Sequence, residues 1–332
     1  MRVLVMGGNR YIGLSLVREL VERGFEVTVA NSHEADLPPG VERIHVDRRI
    51  PGALRDALAP RSKSFDAVLD NTAYEVGDLE PMVEMFDGNV AHYVFTSSVA
   101  VYRRSFVQPV REDFRLYESI GGQPLRAYGV NKVRCERFLR DRFDQTGFPA
   151  TAVRVTHTIG PRSPLPTRDP GFFARMEAGR PILIPGDGYA FVHMVHIDDA
   201  ARLLVSVLGN ERAAGQTYNA AGPEYASVLA TVHLIGRAMG VEPNVVHVPL
   251  EYLKRTSRSV LHWNEATVGG TVFSVEKALS ELDWAPTFGL QAAYADSWAW
   301  FAGGGREHYE FDFSTDDAVL ADLEGGAHDR TR

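Results

Sequence analysis

Residues 3–24 constrain the fold more than any other stretch. Val3-Leu-Val-Met6 is a short apolar run that stops at Gly7-Gly8, and Ile12, Leu16, Val17, Leu20 and Val21 then recur at helical spacing up to Gly24. Strand, tight turn and helix follow one another directly. A second strand is predicted over Glu26 to Ala30, and further strand-like runs end at Asp47, at Asp70, at Thr96 and near Val155, most of them separated by helical stretches. Parallel strands joined by helices cross over in the right-handed sense, which places helices on both faces of one sheet. The expected fold class is therefore α/β, a doubly wound parallel sheet of the Rossmann type.

After Gly160-Pro161-Arg162 the alternation gives way to prolines at 161, 164, 166, 170, 181 and 185. A smaller, partly interleaved C-terminal lobe is expected. Residues 1–165 form the first domain and 190–210 return to it, 166–302 form mainly the second lobe, and 303–332 a partly mobile tail that Phe311, Phe313, Val319 and Leu320 can dock. Asp198 to Leu208 reads as a helix capped by Asp198 or Asp199, and 227–239 and 275–282 are further amphipathic candidates. Trp263, Trp284, Trp298 and Trp300 are expected in the core or between lobes.

Composition excludes several classes. A hydrophobic fraction of 45% and a charged fraction of 23% are ordinary for a globular protein. With 35 Lys and Arg against 43 Asp and Glu, the net charge of −8 argues against nucleic acid as the main partner. Cys135 is the single cysteine, which rules out an intramolecular disulfide and a Cys-rich zinc site, and its apolar company reads as a buried small residue. No run of eighteen apolar residues and no signal-peptide core occurs, so the expectation is a cytoplasmic protein with no membrane partner.

The chemistry concentrates in two places. A strand that feeds a glycine turn and a helix N-terminus offers backbone N–H groups to a pyrophosphate, so Gly7, Gly8, Asn9, Arg10, Tyr11, Ile12 and Gly13 are read as a dinucleotide-binding turn. Arg10 stands where a middle glycine is common. The second strand ends in Ala30-Asn31-Ser32-His33 with no acid to bond a ribose 2′-hydroxyl, which leaves NAD and NADP both open. Asp47 is a candidate partner of the adenine amino group or simply a turn residue. The second place is Tyr128-Gly-Val-Asn-Lys132, where a tyrosine and a lysine at i and i+4 share a helix face. An ammonium close to a phenol favours the phenolate and can turn a poor base into a useful one. Ser98 lies thirty positions upstream of this tyrosine.

Together, the glycine turn, Thr96-Ser-Ser-Val-Ala-Val-Tyr102, Tyr128 to Lys132, Arg154 through Gly160-Pro161, His196-Ile-Asp-Asp199 and Trp284-Ala-Pro286 resemble the short-chain dehydrogenase/reductase superfamily. The branch indicated is the extended, NAD-dependent epimerase/dehydratase one, and the resemblance spans about residues 1 to 300. Arg10, the Asn31 strand end and Asp312-Phe-Ser are similar to atypical, chloroplast stem-loop-binding-protein-like members.

The resemblance implies that Tyr128 takes a proton from a substrate hydroxyl as hydride leaves the same carbon for the nicotinamide. Ser98 would hold the oxygen, and Lys132 would keep the phenolate charged and grip the ribose. Arg48, Asn71, Thr72, Ala73, Thr96 and Val155, at or near strand ends, complete the expected cofactor contacts with Tyr128 and Lys132. Substrate would meet Ser98, Arg103, His157 and Arg162. His193, His196 and Asp198 superficially suggest a metal cluster but are read as packing and capping residues, so no metal site is assigned.

Two departures from the family pattern narrow the reaction. Val99 and Ala100 stand where 4,6-dehydratases carry an Asp-Glu pair, which disfavours elimination, and Val192 replaces an arginine that binds the diphosphate of nucleotide sugars. The expected function is an NAD(P)-dependent epimerase or ketoreductase acting on a sugar-like or polyol small molecule; homodimer formation is an open expectation. A nucleic-acid-binding protein of the stem-loop-binding kind that retains the fold is the alternative, and a redox-sensing regulator a weaker third.

Overall fold

The computed structural model describes residues 1–34, 36–119, 127–258, 260 and 270–329, the last four by their backbone. Trp263 lies outside them. The chain divides into two compact units, Met1–Thr158 with Met194–Pro223 and Phe273–Thr287, and Ile159–His193 with Glu224–Val272 and Phe288–Arg332.

The first unit is built on strands β1 (Arg2–Met6), β2 (Glu26–Asn31), β3 (Glu42–His45), β4 (Ala67–Asp70), β5 (His92–Ser98) and β6 (Ala150–Val155), joined in one sheet by a later strand, Thr217–Ala220. Its order, from Thr217–Ala220 through β6, β5, β4, β1 and β2 to β3, is parallel throughout. Helices α1 (Tyr11–Glu22), α2 (Ala53–Leu58), α3 (Val76–Phe86) and α4 (Ala127–Thr146) connect the early strands. Alternation along β1 shows why the sheet must be covered twice. Val3 and Val5 join a cluster with Leu16, Val17 and Leu20 of α1, while Leu4 and Met6 join another with Leu79, Met82 and Phe86 of α3 and Cys135 and Leu139 of α4. A strand buried on both faces reads as an unbroken apolar run. Cys135 is fully buried, and burial pushes its thiol up to about 12. That is the chemistry of an inert core residue.

The short β7 (His157–Ile159) ends the first long segment, and the remaining elements are α5 (Asp169–Glu177), β8 (Ile182–Pro185), β9 (Phe191–His196), α6 (Ile197–Ser206), β10 (Thr217–Ala220), β11 (Tyr225–Ser227), α7 (Val228–Met239), β12 (Val245–Val248), α8 (Leu250–Thr256), α9 (Glu276–Glu281), α10 (Leu290–Ala302) and α11 (Ser314–Asp329). The cap of α6 differs from the expectation: it is His196, whose Nδ1 accepts from the Asp198 N–H at 3.3 Å. Asp198 and Asp199 lie inside the first turn, where carboxylates meet the positive end of the helix dipole. Asp199 also accepts from the Thr287 N–H, and its carbonyl accepts from Trp284 Nε1 at 2.9 Å.

In the second unit Phe173, Trp298 and Phe301 form an aromatic core with centroid separations of 5.3, 5.3 and 5.8 Å. The segment beyond Trp300, expected to be partly mobile, carries α11, and Val319 is fully buried with Leu183, Tyr252 and Leu253. A buried Arg175–Asp316 ion pair at 2.6 Å pins that helix to α5. Among the described residues no helix is long and apolar enough to cross a membrane.

One buried base in the first unit makes stability depend on pH. His92 on β5 pairs with Thr151 Oγ1 at 2.8 Å, and burial pulls its imidazole down to about 4. The unfolded chain protonates near 6.5 and the folded one only near 4, so the unfolded state binds more protons in that window and stability falls as pH falls through it. The expected loss is on the order of 3 kcal/mol. Urea unfolding at neutral pH and near pH 4 checks this, and His92→Gln, which cannot charge, is expected to flatten the slope.

Candidate active site

The glycine turn is held by contacts that tolerate no side chain at three positions. Gly7 has φ +81° and donates its N–H to Ala30 O at 3.0 Å, and a Cβ there would lie 2.1 Å from Thr72 Cγ2. At Gly13 a Cβ would lie 2.1 Å from the carbonyl oxygen of Gly7, and at Gly8 it would meet Val17 and Val29 below 3 Å. The turn is thus wedged between the end of β2, the loop after β4 and the start of α1. Tyr11 is left-handed at φ +49° and buried, with its hydroxyl donating to Thr158 O at 2.9 Å. Ile12 and Asn9 are half-buried, and Arg10 is extended and exposed. Three close-approach glycines beside a helix start make a cradle that fits a dinucleotide pyrophosphate.

Two residues expected to touch the cofactor are committed elsewhere. The Arg48 guanidinium donates to Asp70 Oδ1 at 2.8 Å, Asp70 Oδ2 at 3.1 Å, Thr72 Oγ1 at 2.7 Å and Asp78 O at 2.7 Å. Burial alone would raise the carboxyl of Asp70, but Arg48, the Thr72 N–H and the Tyr93 hydroxyl hold it below its ordinary value. This cluster fixes Asn71, Thr72 and Ala73 beside the turn, since the N–H groups of Thr72 and Ala73 both donate to Asp70 Oδ1 at 3.0 Å and that of Asn71 donates to Met6 O at 3.1 Å. Asp47 lies past the end of β3 and accepts from the Arg49 N–H and guanidinium, which lower its carboxyl to about 2. These are the bonds of a turn residue.

Lys132 is a hub of contacts. It is 3% exposed, and its ammonium donates to Ala73 O at 2.7 Å and Thr96 O at 2.8 Å. The same nitrogen lies 4.6 Å from the Phe95 ring centroid, 4.9 Å from that of Tyr74 and 5.8 Å from that of Tyr128. Helical spacing stacks Tyr128 one turn above it. Tyr128 is 42% exposed and packs against Tyr74 at 6.1 Å, so its ring roofs the ammonium while facing outward. Burial brings the Lys132 ammonium down to about 8.

Ser98 ends β5, half-buried, and its Oγ accepts from the Ala100 N–H at 3.2 Å. The start of α4 presses on the same turn, since a Cβ at Gly129 would lie 2.2 Å from Ala100 O. Sequence reasoning passed over Gly129, although its place inside the Tyr–Lys pentapeptide was a signal. It also passed over Tyr74 and Glu136. Glu136, four positions past Lys132 on the same face, is bound by Arg154 Nη2 at 2.6 Å and by the Ser97 hydroxyl, and Arg154 Nη1 donates to Tyr102 Oη at 2.7 Å. This buried pair ties α4, β6 and the end of β5 together, which fixes Ser98 and Lys132 on one rigid frame. Thr96 and Val155 are buried strand residues, with Val155 paired to Ser98 across β5 and β6.

The other three residues expected to meet substrate are exposed. Arg103 and His157 belong to the first unit, and Arg162, at φ +62° with its guanidinium 5.6 Å from the Trp300 ring, to the second. Ser32 pairs with His33 at 2.9 Å beyond β2.

Comparison with solved structures gives the class of fold. A UDP-glucuronic acid 4-epimerase from Bacillus cereus, solved in complex with NAD, superposes with a TM-score of 0.73 over 90% of this chain and 96% of its own at 19% identity. The family model for the NAD dependent epimerase/dehydratase family matches residues 79–221. Among relatives, the chloroplast stem-loop binding protein of 41 kDa b from Arabidopsis thaliana is 29% identical over 96% of this chain and 84% of its own length. The 2′-dehydrokanamycin reductase of Streptomyces kanamyceticus is 29% identical over 76% of this chain and 70% of its own.

Proposed function

We propose that the protein is an NAD(P)-dependent oxidoreductase of the sugar epimerase or ketoreductase type, acting on a secondary alcohol or ketone of a sugar-like or polyol molecule. The observation that carries this reading is the desolvated ammonium of Lys132, anchored on Ala73 O and Thr96 O beneath the accessible ring of Tyr128. Burying a charge is costly, and a strongly perturbed lysine at the carboxyl edge of a parallel sheet marks a functional site. The glycine turn and Lys132 would hold a dinucleotide, whose nicotinamide accepts or returns a hydride when bound. Tyr128 takes the proton from the substrate hydroxyl, or returns it to the ketone oxygen, and the Ser98 hydroxyl orients that oxygen. Lys132 favours the ionised phenol and would donate toward the ribose of a bound dinucleotide. Val99 and Ala100 place no acid or base directly after Ser98 in the chain, which disfavours elimination of water.

The lysine sets a pH limit. The ammonium is intact below about 8 and is lost above it in the folded protein, while an unfolded lysine holds its proton to about 10.5. Dinucleotide affinity that depends on the ammonium is expected to weaken about tenfold per pH unit above 8. Titration calorimetry on either side of that value tests this, with Lys132→Met expected to bind weakly and with no such dependence. An affinity independent of pH in the unaltered protein would remove Lys132 from the site.

The similarity to a stem-loop binding protein supports a second reading, in which the fold binds nucleic acid. It requires nucleic-acid binding with a steep salt dependence and indifference to Tyr128→Phe.

A further inference from the structure

At the end of β2 the side chains of the described residues offer mainly donors. Asn31 is 7% exposed, and its Oδ1 accepts from Arg43 Nε at 3.1 Å. That bond leaves Nδ2 as the free end of the amide; it is buried, and among the described residues nothing accepts from it. The bond also holds the Arg43 guanidinium beside the strand end, where Nη2 lies 3.4 Å from His45 Nδ1 and Nη1 lies 3.8 Å from Glu34, a residue 97% exposed. Ser32 and His33 follow directly. The acids on and just past the neighbouring strand are spoken for, Asp47 by Arg49 and Glu42 by Arg61 and Thr28. Gly7 bonds to Ala30, so the turn that carries the exposed Arg10 abuts this strand end.

An acid at this place accepts a bond from a ribose 2′-hydroxyl and repels a 2′-phosphate. Here the oxygen of Asn31 is already taken, and what remains is an orphaned buried N–H beside a partly exposed guanidinium. Buried donors lacking an acceptor are expensive, and a planar guanidinium matches a phosphate with paired bonds. We propose that Asn31 and Arg43 select the 2′-phosphorylated dinucleotide, so that NADP(H) rather than NAD(H) is the preferred cofactor. The proposal rests on the reading of the glycine turn as a dinucleotide site and adds which dinucleotide that site takes.

Calorimetric titration of the full chain with NADPH, NADH, 2′,5′-ADP and 5′-ADP tests it without reference to turnover. NADPH and 2′,5′-ADP are expected to bind at least about tenfold tighter than their counterparts lacking the 2′-phosphate, the worth of one charge-assisted bond. Arg43→Ala is expected to remove that margin while changing NADH binding less than about threefold. Asn31→Asp is expected to reverse the preference. Equal or tighter binding of NADH by the unaltered protein overturns the proposal, as does Arg43→Ala leaving the margin intact. Failure of all four ligands to bind overturns the dinucleotide reading itself, which distinguishes the two failures.

Discussion

Tyr128→Phe is expected to lower kcat by about 10²–10⁴-fold while leaving dinucleotide affinity within a few-fold, because only a proton relay is removed. The ring stays, and with it the roof over the Lys132 ammonium and the contact with Tyr74. Folding is therefore expected to be unchanged, and steady-state kinetics beside calorimetry separate the two effects. A variant that turns over at the unaltered rate would show that another group moves the proton.

The second large effect is structural. Gly13→Ala inserts a methyl carbon where 2.1 Å separates it from the Gly7 carbonyl oxygen and 3.2 Å from Gly8 Cα, both backbone atoms that cannot rotate away. Helix α1 must then lift off the turn that carries Gly7, which opens the cradle and disturbs the packing of Leu16, Val17 and Leu20. The expected cost is about 1–3 kcal/mol of stability together with loss of measurable dinucleotide binding. Gly77→Ala, in α3 where an added Cβ would meet no atom within 4 Å, is the control and is expected to be neutral or slightly stabilising. Urea unfolding and calorimetry of both variants check this.

Much of the frame was legible because parallel strands covered on both faces carry a signal that needs no partner. Val3 to Met6 and Ala67 to Leu69 are buried throughout, so their apolar runs stand out without knowledge of the pairing. The Tyr128–Lys132 pair was legible because helical spacing is local. What escaped depended on distant partners. Arg48 stands beside Asp47 in the chain and looked like part of a strand-end cofactor contact, but the carboxylate that claims it is Asp70, twenty-two positions away. The cap of α6 was misplaced by a different route: two aspartates draw the eye as capping residues, whereas His196 before them has the extended backbone and the accepting ring nitrogen that a cap requires. The return of Phe273–Thr287 to the first unit has no local signature, because it is driven by burial of Trp284, Ala278 and Leu282 against α6 and β10.

The decisive experiment is a crystal structure of the protein grown with its dinucleotide. The expected result has the pyrophosphate on the N–H groups of the Gly7–Gly13 turn, the nicotinamide ribose within hydrogen-bonding reach of Lys132, and the hydroxyls of Ser98 and Tyr128 on the same side of the ring. A dinucleotide bound elsewhere, or a nicotinamide out of reach of the Tyr128 hydroxyl, would contradict the enzymatic reading.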